Sequence, residues 1–367
     1  MSGLPATLSR AAKGAAYGAS QLARIAWFTG HYAAGRLRMG PVGDSGSRKG
    51  AAPPLDRRAL REAFIDLFKS DWRNIDEGQY KLPAEALRPP RLDDLWRRSR
   101  DYFQDTEEVS RRKSVRGHSE VHESGLADKY PRYFLQNFHY QSDGWMSAAS
   151  AERYDMQVET LFTGAAAAMR RQALPAIRRA IGARDPSGLQ LLDLACGTGA
   201  FLDGVKENWP LINVTALDLS PAYLGKARTT LGRRRNVSFL EANAEVTGLP
   251  DGAFDMIACV YLFHELPPKA RDAVAAEIGR LLKPGGTLIQ VDTIQYGDQP
   301  GLDSLLDGFP KAFHEPYYES YCRQNLETLF DAAGLVRNEP AQLAFLSKIT
   351  VLMKRQVCAA STARASL

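Results

Sequence analysis

An apolar run that ends in two closely spaced glycines carries the clearest chemical signal in the sequence. Residues 191–199 read Leu-Leu-Asp-Leu-Ala-Cys-Gly-Thr-Gly, and helix-forming residues follow from about Ala200. Glycines at such a turn let the backbone approach a ligand closely, and the free N–H groups of a helix N-terminus bind polar groups. The pattern predicts a nucleotide-binding turn between a strand and a helix.

Two residues near this turn argue against a dinucleotide as the ligand. A dinucleotide-binding turn carries a third glycine at the position that Leu202 occupies here. The carboxylate of Asp193 would also repel a phosphate group. The same carboxylate would attract an ammonium or a sulfonium, so the turn favours a ligand with a cationic end.

Further polar side chains follow the next two predicted strands. Asp218 closes the second strand, at the spacing from the glycine turn where a carboxylate accepts the ribose hydroxyls of a nucleotide. Asn243 follows the third strand, where an amide side chain can bracket an adenine edge. A ribose, an adenine and a cationic amino-acid end together describe S-adenosylmethionine.

Residues from about 188 to 355 resemble the class I S-adenosylmethionine-dependent methyltransferases. Residues 241–255 (EANAEVTGLPDGAFD) and 280–288 (RLLKPGGTL) are similar to segments of the quinone-biosynthesis C-methyltransferases. Residues 260–267 (VYLFHELP) differ from the Arg-Asn-Val-Thr-type segment of those enzymes and look like other small-molecule methyltransferases. The resemblance implies a Rossmann-like fold, S-adenosylmethionine as the cofactor and a small molecule as the methyl acceptor.

The resemblance also implies which residues hold the cofactor. Asp193 and the glycine turn would hold its methionine end, Asp218 its ribose, and Asn243 with Ala244 its adenine. Tyr261 is expected to form a wall of the site. The predicted cofactor-binding residues are Asp193, Ala195, Gly197, Thr198, Gly199, Asp218, Leu219, Asn243, Ala244 and Tyr261.

His264 and Glu265 are the predicted catalytic residues. They follow the fourth strand, at the edge of the sheet where ligands bind in such folds. An imidazole with an ordinary pKa can accept a proton at neutral pH, if the acceptor must lose one. Alternatively, His264 caps the following turn or orients a loop, and Glu265 binds backbone groups or Arg271.

No metal site is predicted. His118 and His122 are spaced as HxExH, which differs from the helical HExxH of zinc proteases.

The methyl acceptor is predicted from two segments that are rich in aromatic residues. One is residues 130–145, and the other lies between the fifth strand and the final hairpin. If both line the pocket, they favour an apolar or aromatic acceptor such as a lipid or a quinone-like ring. Alternatively, the aromatic rings form an interdomain core. A polar metabolite or natural product is the alternative to an apolar acceptor. A further alternative is that the chain is a non-catalytic S-adenosylmethionine-binding assembly or regulatory protein. The second segment contributes Tyr296, Phe309, Phe313, His314, Tyr317, Tyr318 and Tyr321.

The alternation of apolar runs with helical stretches after Gly188 predicts a parallel sheet. The predicted fold is α/β, a Rossmann-like doubly wound seven-stranded sheet with a terminal antiparallel hairpin and an N-terminal α-helical cap. The predicted domains are a basic flexible arm and linker (1–50), a helical cap and substrate region (51–181), a methyltransferase domain (182–355) and a tail (356–367). The predicted strands are 189–194, 213–218, 237–241, 254–260, 287–292, a strand near 336–345 and 348–353.

Charge is distributed unevenly along the 367 residues, whose formal net charge is +5. Residues 1–43 contain five basic residues and no acidic one, so the remainder is neutral. A neutral body does not suit a nucleic-acid-binding protein. We therefore predict that the protein binds no nucleic acid and contacts an anionic membrane surface through residues 1–43, with a transit peptide or a disordered terminus as the alternatives. The four cysteines show no CxxC spacing and predict reduced thiols in a cytoplasmic protein.

Overall fold

The N-terminal half of the chain is helical, and the C-terminal half folds around a mixed β-sheet. A computed structural model describes residues 9–39, 54–115, 128–140 and 142–356. The helices of the N-terminal half are α1 (Arg10–Met39), α2 (Arg57–Asp76), α3 (Ala84–Leu87), α4 (Leu92–Val115), α5 (Ala148–Leu161), α6 (Ala166–Arg171) and α7 (Leu174–Ile181).

Helix α1 departs from the prediction of a flexible arm over residues 1–50. Residues 10–39 form one helix that packs against α2, α3, α4 and α5. Its Arg24 lies 3.0 Å from Glu159 of α5 and 3.3 Å from Glu85 of α3. These acidic partners are far away in the sequence, which is why local composition did not reveal them. Residues 1–8 and 40–53 lie outside the described residues, and the domain boundaries stay predictions.

A buried carboxylate holds the first helices together. Asp71 of α2 is fully buried, and it accepts hydrogen bonds from the hydroxyls of Tyr17 in α1 (2.7 Å) and Tyr80 (2.5 Å). Arg171 of α6 forms an ion pair with it at 2.5 Å, and Gln172 donates to it at 3.3 Å. Burial and the charge of Asp71 raise the pKa of both tyrosines, which therefore remain hydrogen-bond donors.

The sheet follows the order β3-β2-β1-β4-β5-β8-β6, with β7 also paired to β8. Strands β1 to β5 are parallel, whereas β8 runs antiparallel to β5, β6 and β7. The chain reverses its winding between β1 and β4, so the carboxyl ends of these strands open into a crevice. The strands are β1 (Gln190–Leu194), β2 (Asn213–Asp218), β3 (Val237–Glu241), β4 (Phe254–Val260), β5 (Leu282–Thr293), β6 (Leu335–Arg337), β7 (Gln342–Ala344) and β8 (Ser347–Lys354).

The predicted fold class is confirmed, with one difference in strand number. The described sheet has eight strands because the strand predicted near 336–345 is divided into β6 and β7. Pro340 lies between the two. A proline has no N–H group to donate to a neighbouring strand, so it interrupts the ladder.

Helices cover both faces of the sheet and connect its strands. Ser220 caps α9, since its hydroxyl accepts a hydrogen bond from the N–H of Tyr223 (3.2 Å). The same hydroxyl donates to the carbonyl of Trp145, which ties the aromatic segment 130–145 to the sheet. These helices are α8 (Ala200–Asn208), α9 (Pro221–Leu231), α10 (Pro268–Leu281), α11 (Asp303–Ala312), α12 (Tyr318–Arg323) and α13 (Leu326–Ala332).

Candidate functional site

A cleft lies at the carboxyl ends of β1, β2 and β4. The N-terminal half covers it, so side chains from the cap and the sheet face each other across it. Nine of the ten predicted cofactor-binding residues line this cleft: Asp193, Ala195, Gly197, Thr198, Asp218, Leu219, Asn243, Ala244 and Tyr261.

Gly199 is the predicted residue that does not line the cleft. It adopts a φ of +78° at the start of α8. A Cβ atom added there would lie 3.1 Å from Leu231 and 3.3 Å from Ala227, both in α9. Gly199 therefore allows α8 and α9 to pack closely.

Asp193 is a buried carboxylate with unused hydrogen-bonding capacity. It is 1% exposed, it faces the cleft from β1, and neither of its carboxylate oxygens has a hydrogen-bond partner among the described residues. Burial, together with the nearby charge of Asp218, raises its pKa to about 8. A buried polar group without a partner is costly, so this carboxylate is explained best by a ligand that pairs with it.

Gly197 leaves the space that such a ligand needs. Its φ is +54°, and a Cβ atom added there would meet no atom within 4 Å. Its N–H donates to Asp218 at 2.8 Å, so this donor is already engaged. Gly197 thus contributes open volume and a link between β1 and β2.

Asp218 is held by backbone donors at the end of β2. One oxygen accepts from the N–H of Gly197 and the other from the N–H of Ser220, each at 2.8 Å. Burial raises its pKa to about 6, although these hydrogen bonds oppose the shift. Each carboxylate oxygen retains a lone pair, so Asp218 can still accept from two vicinal hydroxyls.

The Asn243 side chain is engaged within its own loop. Its oxygen accepts from the N–H of Glu245 at 2.9 Å, and its amide donates to the Glu245 carboxylate at 3.2 Å. Tyr133 of the cap donates to the same carboxylate at 2.6 Å. One N–H and one lone pair of the amide remain for a ligand, and Ala244 and Leu219 are the neighbouring surfaces for a planar base.

Two polar residues of the cap line the cleft without having been predicted. Asp155 of α5 accepts a hydrogen bond from the hydroxyl of Thr198 at 2.9 Å. Arg170 of α6 brings a positive charge to the cleft and lies 3.4 Å from Glu159. An arginine there is suited to bind a carboxylate. No local pattern could have revealed these residues, because only tertiary packing brings α5 and α6 to the glycine turn.

One of the two predicted aromatic walls is present in the cleft. Aromatic rings from the segment 130–145 line it, together with Tyr154 and Tyr223, whose centroids are 5.4 Å apart. The other predicted wall does not reach the cleft. Its Tyr318 and Tyr321 are buried in the core beside the sheet, as in the interdomain-core alternative. The lining rings of the segment 130–145 are Tyr133, Phe134, Phe138 and Trp145.

The structure separates the two predicted catalytic residues. Glu265 lines the cleft, whereas His264 lies behind it with Nδ1 2.7 Å from Asp292 and Nε2 3.8 Å from Glu265. Burial lowers the pKa of His264, but the charge and hydrogen bond of Asp292 raise it more, to about 9. The imidazole is therefore protonated at neutral pH, and this geometry does not support its predicted role as a general base.

The suggested contact between Glu265 and Arg271 is not formed. Arg271 is fully buried and donates to the carbonyls of Phe263 (3.0 Å) and Leu266 (2.9 Å). It also donates to the carbonyl of Tyr317 at 2.9 Å. Arg271 thus fixes the loop after β4 and joins it to α12, which leaves Glu265 facing the cleft.

Comparison with known proteins shows that part of this domain is similar to methyltransferases. Residues 191–286 match the sequence model of a family described as "Methyltransferase domain". A ubiquinone/menaquinone biosynthesis C-methyltransferase from Methylobacterium nodulans is 32% identical over 165 residues, 43% of this chain and 62% of that protein. A demethylmenaquinone methyltransferase from Thermus thermophilus is 33% identical over 148 residues, 40% of this chain and 64% of that protein.

The family match and the two relatives confirm the resemblance to S-adenosylmethionine-dependent methyltransferases. The matched part of this chain spans less than two thirds of the length of either relative. A malonyl-[acyl-carrier protein] O-methyltransferase from a Paenibacillus species is 32% identical over 27% of this chain and 37% of that protein. Human N-acetylserotonin methyltransferase in complex with S-adenosylmethionine overlaps 71% of this chain and 70% of its own at a TM-score of 0.49 and 14% identity. At that similarity, the overlap has no bearing on function.

Proposed function

We propose that this chain is an S-adenosylmethionine-dependent methyltransferase whose acceptor is a small hydrophobic or aromatic molecule. The observation that carries the proposal is the unpartnered, buried carboxylate of Asp193 beside the open volume at Gly197. A cation fits this position, and the family match supports the same cofactor. S-adenosylmethionine, when bound, supplies a methyl group on a sulfonium.

Different residues of the cleft suit the successive parts of this cofactor, from its amino-acid end to its ribose. Asp193 is placed to attract the cationic end, and Arg170 to bind a carboxylate. Asp218 can accept hydrogen bonds from two ribose hydroxyls. These residues act chiefly by holding the reacting groups in line, because positioning supplies much of the rate of such a displacement. Glu265 faces the same cleft and is the candidate for contact with the acceptor.

The lining of the cleft supports an apolar acceptor. The aromatic rings of residues 130–145 exclude water and favour a planar or apolar molecule. A second cavity between α1, α4, α5 and α8 adjoins the cleft, and both apolar side chains, such as Trp27, Leu95 and Phe201, and charged ones line it. This cavity would accommodate a long apolar tail. The quinone-biosynthesis names of the relatives support the same acceptor class.

Affinity for S-adenosylmethionine is expected to rise with pH. The pKa of Asp193 is about 8, and the neutral form that predominates below this value has no charge to pair with a cation. The dissociation constant should fall roughly tenfold between pH 6.5 and pH 8.0. Asp218, whose pKa is about 6, remains largely ionised over this range. Calorimetric titration of the full chain at both values measures the effect.

The matched control for this pH dependence is Asp193→Asn, which has no titrating group at the position. Its affinity should be weak and nearly constant between the two pH values. If the dissociation constant of the variant changed with pH as much as that of the unchanged chain, a group other than Asp193 would control the pH dependence of binding.

A product assay tests the proposed activity. The full chain is incubated with S-adenosylmethionine and with apolar, quinone-containing or polar metabolite fractions, and S-adenosylhomocysteine is measured. The proposal predicts product with an apolar fraction. Product only with a polar fraction would refute the acceptor class, and tight cofactor binding without product in any fraction would favour a non-catalytic binding protein.

Contact of residues 1–43 with an anionic membrane surface is a further part of the proposal. Arg10 pairs with Asp76 and Arg24 with Glu159, so these two charges are partly compensated within the protein. The side chains of Leu22 and Leu37 in α1 are 70% and 85% exposed, and they offer apolar surface to a membrane. None of the helices in the described residues has the length and apolar character that a bilayer crossing requires. Cosedimentation of the full chain with anionic but not neutral vesicles would support the contact.

A further inference from the structure

A histidine and two glutamates meet where the cap, the loop after β4 and the connection between α11 and α12 come together, and one of them, Glu265, lines the cleft. His139 Nε2 lies 2.6 Å from a carboxylate oxygen of Glu315. Glu265 completes the group, and one potential ligand atom from each residue lies within 4.8 Å of the other two. The three residues are distant in the sequence, so no spacing pattern reveals the cluster.

The carboxylate of Glu315 lacks the hydrogen bonds that its burial requires. It is 2% exposed, one of its oxygens lies 2.6 Å from His139 Nε2, and the other has no hydrogen-bond partner among the described residues. Among the described residues, His139 is its ion-pair partner. A buried carboxylate in this condition costs free energy unless a cation or a proton compensates it. Because His264 is held mainly by Asp292, the two carboxylates of the cluster share one imidazole, and a bound cation would compensate their charge.

The donor set suits a divalent transition-metal ion. Ligand atoms that each lie about 2.1 Å from a metal are about 3–4 Å apart, so small rotations of these side chains would close the cluster around one ion. One imidazole with two carboxylates favours Mn²⁺, Fe²⁺ or Zn²⁺ over the purely oxygen-ligated cations. Three protein ligands leave coordination positions on the metal ion open for oxygen atoms of another molecule.

The surroundings of Glu265 would orient it toward such an ion. His264 lies 3.8 Å from its carboxylate and is itself held by Asp292 at 2.7 Å. Residues that position a ligand in this way are a regular feature of metal sites. Because Glu265 lines the cleft, an ion that it binds would have open coordination positions on the side of the cleft.

We propose that His139, Glu265 and Glu315 bind one divalent transition-metal cation, which in turn binds an oxygen of the methyl acceptor. The acceptor would then be an aromatic molecule with a hydroxyl or carbonyl oxygen, and best with two adjacent oxygens. This assignment of the acceptor rests on the proposed methyltransferase function. Binding of the cation does not rest on it.

Titration of the EDTA-treated full chain with MnCl₂, followed by calorimetry and electron paramagnetic resonance, tests the site. We expect one Mn²⁺ per chain, with affinity at least about 100-fold weaker in Glu315→Gln and in Glu265→Gln. Glu319→Gln is the matched control, since its carboxylate is exposed on α12 and pairs with Arg323. It should bind Mn²⁺ like the unchanged chain. Thermal unfolding of each metal-free variant confirms that it is folded.

Two results would overturn the cation site: no Mn²⁺ binding by the unchanged chain, or equal binding by both glutamine variants and the control. Addition of 1,2-dihydroxybenzene to the Mn²⁺-loaded chain tests the acceptor assignment. A changed resonance spectrum supports it, and an unchanged spectrum refutes it. S-adenosylmethionine titration of the same samples separates the two proposals, because loss of Mn²⁺ binding with intact cofactor binding would overturn the metal site alone.

Discussion

Asp193→Asn is expected to weaken S-adenosylmethionine binding about 100-fold and to make the ligand-free protein more stable. The affinity falls because the variant loses a buried charge-assisted contact with a cationic ligand, a loss of about 2.7 kcal/mol. The stability rises because the buried carboxylate has no hydrogen-bond partner among the described residues, so the unliganded fold gains nothing from its charge. Calorimetric titration and thermal unfolding measure the two effects on the same preparation.

The stability effect should depend on pH in a defined direction. The pKa of Asp193 is raised from 3.8 to about 8, so the folded protein holds a proton that the unfolded chain releases. The free energy of unfolding therefore falls as the pH rises from about 4 to about 8. The advantage of the asparagine variant should be small at pH 4.5 and largest above pH 8.

Asp218→Asn is the matched control for this result. Asp218 is also buried in the cleft, but backbone N–H groups satisfy both of its oxygens. It should lose cofactor affinity with a smaller gain in stability than Asp193→Asn, because its pKa is raised less and asparagine removes an acceptor that these donors need. Unchanged affinity in Asp193→Asn would contradict the cofactor site, and a loss of stability in that variant would contradict the account of the unpartnered carboxylate.

Asp71→Ala is expected to lower the free energy of unfolding by about 3–5 kcal/mol. The substitution leaves the guanidinium of Arg171 buried beside α2 without the carboxylate at 2.5 Å. It also removes the acceptor for the hydroxyls of Tyr17 and Tyr80. Denaturant-induced unfolding measures the loss. Because these contacts join α1, α2 and α6, the cap should open before the sheet does.

The control for this prediction lies on the same helix. Asp66 is well exposed and pairs with Lys69 on the surface, so Asp66→Ala should change the free energy of unfolding by about 1 kcal/mol or less. Equal effects of the two alanine substitutions would show that the Asp71 network does not hold the cap together.

The sheet half of the site could be predicted because its residues are set by local patterns. Asp193, Gly197 and Asp218 each stand at the end of an apolar strand or in the turn that follows it. The carboxyl ends of neighbouring parallel strands meet at one edge of a sheet, so strand positions suffice to bring these residues together. The structure places all three in the cleft.

The cap half could not be predicted, because its contacts depend on tertiary packing. Arg170 and Asp155 reach the glycine turn only through the arrangement of α5 and α6. His139 and Glu315 meet across 176 positions of sequence. The ion pairs of α1 could not be predicted either, since the partners of Arg24 are in α3 and α5. Charge composition alone cannot distinguish a solvated arm from a helix with distant partners.

Residue type also proved insufficient where burial decides the role. An aromatic side chain suits a ligand wall and a protein core equally well, and Tyr318 lies in the core although its segment was predicted to form a wall. Gly199 and Gly197 share one turn and a positive φ, but the first faces α9 and the second faces the cleft. Only the packing of the neighbouring helix distinguishes them.

Titration of S-adenosylmethionine into the unchanged chain, Gly197→Leu and Gly248→Leu tests most directly whether this cleft is the cofactor site. A leucine at position 197 would project into the open volume of the cleft, whereas exposed Gly248 has a similar φ of +72° outside it and controls for the backbone strain. We predict saturable binding to the unchanged chain and to Gly248→Leu, and loss of binding in Gly197→Leu. Equal affinity in all three proteins, or no binding in any, would contradict the account.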